Sequence, residues 1–249
     1  MSENVLILLI VYAILSDLAT GLGVFPLLLF RSISPRLFGV LVSVAGGMMV
    51  GASFVVILEE GVKTSFVLTL LGLLVGAWIV YYSSIRIGEG EVKFENLSKK
   101  DAKIALLTFL VLFIHSFPEG IAIGMAFNGS EPIKLGTIMT LAIAIHNIPE
   151  GLMIALTMYP RGVSILKCFM YAVLSSLPQP IAAIPSFFIG NLIWWTIPFG
   201  FGFAAGAMIY LTISEILPES FEKADKTIVS FSFIAGIVLI TFLTKIFNN

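Results

Sequence analysis

Apolar positions run through this chain in long, nearly unbroken stretches. Eight of them, at 5–30, 37–61, 64–87, 102–127, 133–158, 164–189, 192–217 and 227–247, each reach the length of about 20 residues that carries a helix across a bilayer. The gaps between them are short and hold turn-forming residues: Ser34-Pro35, Asn128 to Pro132, Pro160-Arg161-Gly162 and Gly190-Asn191. Only Gly88–Asp101 is a polar connection of any size. The pattern predicts an all-α polytopic membrane protein, eight transmembrane helices forming one domain over 1–249, with no soluble module.

Composition agrees with that reading and excludes others. Of 249 residues, 58% are hydrophobic and 12% charged, with a mean hydropathy of +1.05, against about 25% charged in a soluble domain. A globular core cannot hide so much apolar surface in a chain of this length, so the lipid bilayer must be the second solvent. The net charge of −1 offers no field for nucleic acid, and Cys168, the only cysteine, excludes an intramolecular disulfide and a thiolate cluster. Basic residues set orientation, because cytoplasmic loops retain them. With the N-terminus outside, the inner segments hold Arg31, Arg36, Arg86, Lys93, Lys99, Lys100, Lys103, Arg161, Lys167, Lys223 and Lys226, and the outer ones only Lys63, Lys134 and Lys245. Eleven against three places both termini outside in a multi-pass protein of the cell membrane. Ser2, Glu3 and Asn4 form no basic leader region, so no cleaved signal peptide is expected.

An internal repeat adds a constraint on the fold. Ala45–Glu60 aligns without gaps to Ala204–Glu219, with identities at Ala45/Ala204, Gly47/Gly206, Met49/Met208, Ile57/Ile216, Leu58/Leu217 and Glu60/Glu219. The second and seventh helices run in opposite senses in the predicted topology, so the pair predicts an inverted repeat of the kind transporters use.

The chemistry sits in the fourth and fifth helices. His115-Ser116-Phe117-Pro118-Glu119-Gly120 and His146-Asn147-Ile148-Pro149-Glu150-Gly151 contain both histidines of the protein, each four residues before a glutamate on the same helix face. Each proline withdraws the N–H that would serve the carbonyl one turn back, Ile114 or Ile145, and a loosened carbonyl in hydrocarbon needs a partner. Both motifs fall near the bilayer midplane, where an acid costs about 2.5 kcal/mol or more and marks a site or a pathway. Two imidazoles and two carboxylates supply four N/O ligands, a set suited to Zn²⁺ and also to Fe²⁺, Mn²⁺ or Cd²⁺.

The doubled His-x-x-Pro-Glu-Gly resembles the signature of the ZIP (Zrt/Irt-like) family of divalent-metal transporters. Supporting likenesses are the Gly-Met run of the second helix, Gln179-Pro180 in the sixth and Glu215 to Glu219 in the seventh. The resemblance implies uptake of Zn²⁺ or a related ion into the cytoplasm, a homodimer, and helices 1, 4, 5 and 6 moving as one unit against 2, 3, 7 and 8. The metal is the transported substrate, and no cofactor is expected. Ser116 stands where the family often has Asn, and Gln179 where it often has Glu, positions that complete a second metal site in relatives. With Glu119 and Glu150 alone the centre carries −2, enough for one divalent ion. One ion is therefore expected on His115, Glu119, His146 and Glu150, with Asn147, Ser116 and Gln179 as weaker donors.

Three further residues are candidates for the pathway. Glu215 is assigned as a relay for metal leaving toward the cytoplasm, whereas Glu59, Glu60, Glu219 and Glu222 read as solvated helix ends. Asp17 in the first helix serves either an interhelical contact or transport. Met49, with Met48 and Met208, is either a soft ligand along the path or packing. An intramembrane metal-dependent hydrolase using the same ligands is the rival reading, although the zinc-protease order His-Glu-x-x-His is absent and no spare acid lies beside the motifs as a general base.

Overall fold

The computed structural model describes residues 3–29, 34–87, 95, 97–128, 131–193 and 195–248, and all their regular structure is helical. Most of Gly88–Asp101, and Arg31 and Lys93 from the charge count, lie outside the described residues. Eight rods follow in chain order: α1 (Asn4–Leu28), α2 (Pro35–Thr64), α3 (Phe66–Ile87), α4 (Lys99–Ala126), α5 (Pro132–Met158), α6 (Ile165–Leu192), α7 (Thr196–Lys223) and α8 (Lys226–Asn248). Seven of them are long and apolar enough to cross a membrane, and α3 contributes a shorter apolar run, Phe66–Tyr82.

Local chemistry explains where the rods depart from the uniform helices expected. In α1 the backbone tightens at Gly23, Val24 and Phe25, whose N–H groups donate to carbonyls three residues back, before Pro26 opens a new turn. In α6 the helix Ile165–Ser176 ends at Leu177 and a second begins at Pro178, because Pro178 and Pro180 bring no N–H to the junction. That break puts Gln179 in the first turn of the second piece. α4 starts at Lys99, where the Ser98 side chain accepts from the Asp101 N–H as an N-cap. α2 and α7 each contain a π-helical segment, Ser53–Leu58 and Thr212–Ile216. These fall at aligned positions of the internal repeat, and at each start a hydroxyl donates one turn back, Ser53 to the Met49 carbonyl and Thr212 to the Met208 carbonyl, both at 2.8 Å. α2 and α7 lie antiparallel, since Gly39 meets Ser220 while Gly46 meets Thr212 and Ile216.

The rods sort into two groups, α1, α4, α5 and α6 in one and α2, α3, α7 and α8 in the other. The most extensive packing joins α3 to α7, α2 to α8, α4 to α6 and α1 to α5. Each seam is a backbone-to-backbone approach that only glycine permits: a Cβ would lie 1.7 Å from the Thr20 oxygen on Gly151, 2.3 Å from the Gln179 oxygen on Gly120, 2.0 Å from the Phe233 oxygen on Gly47 and 2.0 Å from the Leu73 oxygen on Gly206. Such small-residue seams hold helices together in lipid, where burying apolar surface gives little drive to associate.

Candidate metal centre

Pro118 and Pro149 sit inside α4 and α5 without ending either helix. Around them Glu119, His146, Asn147 and Gln179 are 0% exposed, and Glu150 and Ser116 1%. Glu119, His146 and Glu150 each offer one ligand atom, and these atoms all lie within 4.8 Å of one another. Three of the four expected primary ligands are thus brought together; the side chain of His115 lies outside the described residues.

His146 Nε2 and Glu119 Oε1 are 2.7 Å apart. The other Glu119 oxygen, Oε2, accepts from Gln179 Nε2. Gln179 Oε1 accepts from Asn147 Nδ2 at 3.2 Å, and the same Asn147 nitrogen faces the Ser16 carbonyl at 3.0 Å and the Ser16 hydroxyl at 3.3 Å. His146 Nδ1 and Asn147 Oδ1 are buried with no hydrogen-bond partner among the described residues. Burying an acceptor unpaired costs about 1–3 kcal/mol, and such lone pairs among carboxylates are donors that could hold a cation. Two carboxylates this close in a low-dielectric interior repel one another, and a divalent cation between them removes the repulsion.

The remaining candidates fall around this cluster. Ser116 spends its hydroxyl hydrogen on the Leu112 carbonyl of its own helix, at 2.9 Å. Asp17 is buried beside Ser16 in α1, and its Oδ1 has no partner among the described residues. Met49 is wholly buried in the apolar core. Glu215 lines a cavity of about 290 Å³ together with Leu112, Met153, Ser214 and Glu219. Leu112 precedes Ser116 by four residues and Met153 follows Glu150 by three, so the cavity opens about one helical turn from the metal-ligand cluster. Ser16 is the residue that sequence reasoning missed. Its signal was a Ser-Asp pair in the middle of a largely apolar helix, where the charge of Asp17 is the more conspicuous feature.

A polytopic helical membrane protein with a buried cluster of N and O donors, carried on two proline-containing helices, is the class that this fold and site define. Comparison with known proteins narrows it: residues 89–244 match the family described as ZIP Zinc transporter. The chain is 30% identical over 249 residues to the zinc transporter ZupT of Chlorobaculum parvum, covering 91% of this chain and 92% of that protein. It is also 30% identical over 246 residues to the zinc transporter GufA of Myxococcus xanthus, covering 92% and 96%. A longer relative from Arabidopsis thaliana, 33% identical over 232 residues, is matched over 37% of its own length. This chain belongs to the ZIP zinc transporter family. These relatives are named as transporters, and the hydrolase alternative finds no support among them.

Proposed function

We propose that this protein carries Zn²⁺, and chemically related ions such as Fe²⁺, Mn²⁺ and Cd²⁺, across the cell membrane into the cytoplasm through the centre between α4 and α5. The observation that carries the reading is the buried convergence of Glu119, His146 and Glu150 within 4.8 Å, in a chain whose named relatives are zinc transporters. The ion takes Glu119, His146 and Glu150, with His115 as the fourth ligand and the Asn147 carbonyl oxygen as a weaker donor. Two carboxylates balance one divalent charge, so one ion is held at a time. The cavity beside Glu215 receives the ion on release.

The wider architecture of the proposal has eight spans in a single domain, both termini outside and a homodimeric assembly. The eleven-to-three distribution of basic residues supports the orientation. The aligned π-helical segments of the antiparallel α2 and α7 support an inverted repeat, and with it alternating access between the two helix groups.

Zn²⁺ uptake into proteoliposomes tests the site: His146→Ala and Glu150→Ala should each abolish saturable uptake in protein that remains monodisperse and folded. Uptake equal to wild type in both variants would refute it. Orientation is read separately, from a cysteine placed at Ser98 in a Cys168→Ser background. An impermeant thiol reagent should leave it unlabelled in intact cells and label it once the membrane is opened.

A further inference from the structure

Gln179 was expected as a weak metal donor, yet both ends of its amide are engaged by protein. The Ser16 carbonyl at one end of the chain of contacts can only accept, so Asn147 must present its NH₂ group there. The same NH₂ group faces Gln179, which must answer with its oxygen, Oε1, at 3.2 Å. Gln179 is then left with its NH₂ group toward Glu119, where Oε2 of the carboxylate accepts it. A backbone carbonyl on α1 and a carboxylate on α4 therefore fix one polarity for both amides, through α5 and α6. The relay also accounts for the buried Asn147 Oδ1 that lacks a partner among the described residues: with the nitrogen committed to α1 and α6, the oxygen is the end left over.

We infer that Gln179 is a positioning residue, whose N–H, oriented from Ser16 through Asn147, holds Glu119 Oε2 and turns Glu119 Oε1 toward His146 as a single-oxygen metal ligand. This rests on the ligand reading above. The observed contacts fit it: Oε2 is taken by Gln179, while Oε1 is the oxygen within 2.7 Å of His146 Nε2. The amide nitrogen stands against the carboxylate oxygen that a second cation would otherwise claim, so the relay also keeps the centre to one ion. Hydrogen bonds that orient a ligating carboxylate are worth about 10–100-fold in metal affinity.

The test uses the full chain in detergent and in proteoliposomes, with Zn²⁺ for affinity and transport and Co²⁺ as a spectroscopic probe of the ligand geometry. Gln179→Met keeps the length of the side chain and removes the donor. It should weaken Zn²⁺ binding at least about tenfold, raise KM by a similar factor with Vmax within about twofold, and shift the visible Co²⁺ absorption of the site. If Gln179→Met does not fold, Gln179→Asn, which keeps an amide too short to reach both neighbours, should move Kd and the Co²⁺ spectrum in the same direction. A purely structural role would lower the yield of folded protein and leave both readouts at their wild-type values in what remains. Glu119→Ala tests the ligand reading separately from the positioning role. Wild-type Zn²⁺ binding in Glu119→Ala overturns the ligand reading and this inference with it. Lost binding in Glu119→Ala, with wild-type Kd and Co²⁺ spectrum in the folded Gln179 variant, overturns the positioning role alone.

Discussion

The group formed by α1, α4, α5 and α6 and the group formed by α2, α3, α7 and α8 are stitched by the same device and differ in what else crosses their seams. In both, glycines let backbones meet: Gly151 against Thr20 and Gly120 against Gln179 in the first group, Gly47 against Phe233 and Gly206 against Leu73 in the second. In the first, side-chain hydrogen bonds join all four helices, through Ser16, Asn147, Gln179, Glu119 and His146, with Thr20 bonded to Ser176 as well. In the second, the seam hydroxyls turn to backbone carbonyls, as Ser43 does to Val229 and Thr212 to Met208.

Magnitudes say what that difference means. An interhelical hydrogen bond in a membrane is worth about 0.6 kcal/mol on average, so a handful of them adds little to the hold of the glycine seams. The polar network is better understood as orientation than as glue. It fixes which atoms face the proposed cation site, and among the described residues it leaves His146 Nδ1 and Asn147 Oδ1 unpaired at a cost that packing elsewhere offsets. Among the described residues the second group holds one such atom, the Ser214 hydroxyl that lines the cavity beside Glu215.

The largest expected effects lie in the seams themselves. Gly151→Ala and Gly206→Ala each force a methyl into a backbone carbonyl that has no room to yield, and should cost about 3 kcal/mol or more. Gly200→Ala, where α7 meets α4 of the other group, places a Cβ 3.0 Å from the side chain of Met125, which can rotate away, and should cost less than about 1 kcal/mol. Thermal unfolding of the three purified variants checks this. Equal losses in all three would show that the boundary between the groups is as tightly locked as their interiors.

Much of this was legible from residues alone, for identifiable reasons. Period and length gave the rods because lipid leaves a helix few alternatives, and the doubled motif gave Glu119, His146 and Glu150 because spacing within one helix fixes which residues share a face. The breaks in α1 and α6 were hidden inside apolar runs that hydropathy treats as uniform, although Pro26, Pro178 and Pro180 were in view. The relay through Ser16 was out of reach, because no pattern within α1 says that its carbonyl will meet an amide 131 residues away. The π-helical segments were marked only indirectly, by a repeat whose aligned residues gave no sign of local geometry.

A smaller effect is expected from the charge of the first group. Gln179→Glu removes the N–H from Glu119 Oε2 and raises the charge of the first group's centre from −2 to −3. Neutral Asn147 and Ser116 cannot offset the repulsion of two divalent ions in such an interior, and a third carboxylate can. Metal content after equilibrium dialysis should therefore rise from one ion per protomer in the wild type to two in Gln179→Glu, with slower release in uptake assays. Two ions per wild-type protomer, both lost in Glu119→Ala, would show that neutral donors suffice.

The smallest expected effect is at the surface end of the first group, where Glu95 clasps α6. Its Oε2 lies 2.5 Å from the Lys167 ammonium and its Oε1 accepts from the Tyr171 hydroxyl at 2.6 Å. The ammonium first, and then the hydroxyl, hold the Glu95 carboxyl below the usual carboxylate range. A carboxyl whose folded pKa is depressed contributes stability above the unfolded value, about 4.3 for Glu, and loses that contribution as pH falls through the folded one. Lys167 is largely exposed, so solvent screening limits the pair to about 0.2–1 kcal/mol. Glu95→Gln should thus lower Tm by about 1–3 °C at pH 7, by less in 1 M salt, and the gap to wild type should close as the buffer is taken below pH 4. Unfolding curves of the two proteins across that pH series check it. A gap that persists or widens in acid would mean that the clasp stabilises through the shape of residue 95 and the Tyr171 contact, and that the ion pair with Lys167 contributes nothing measurable.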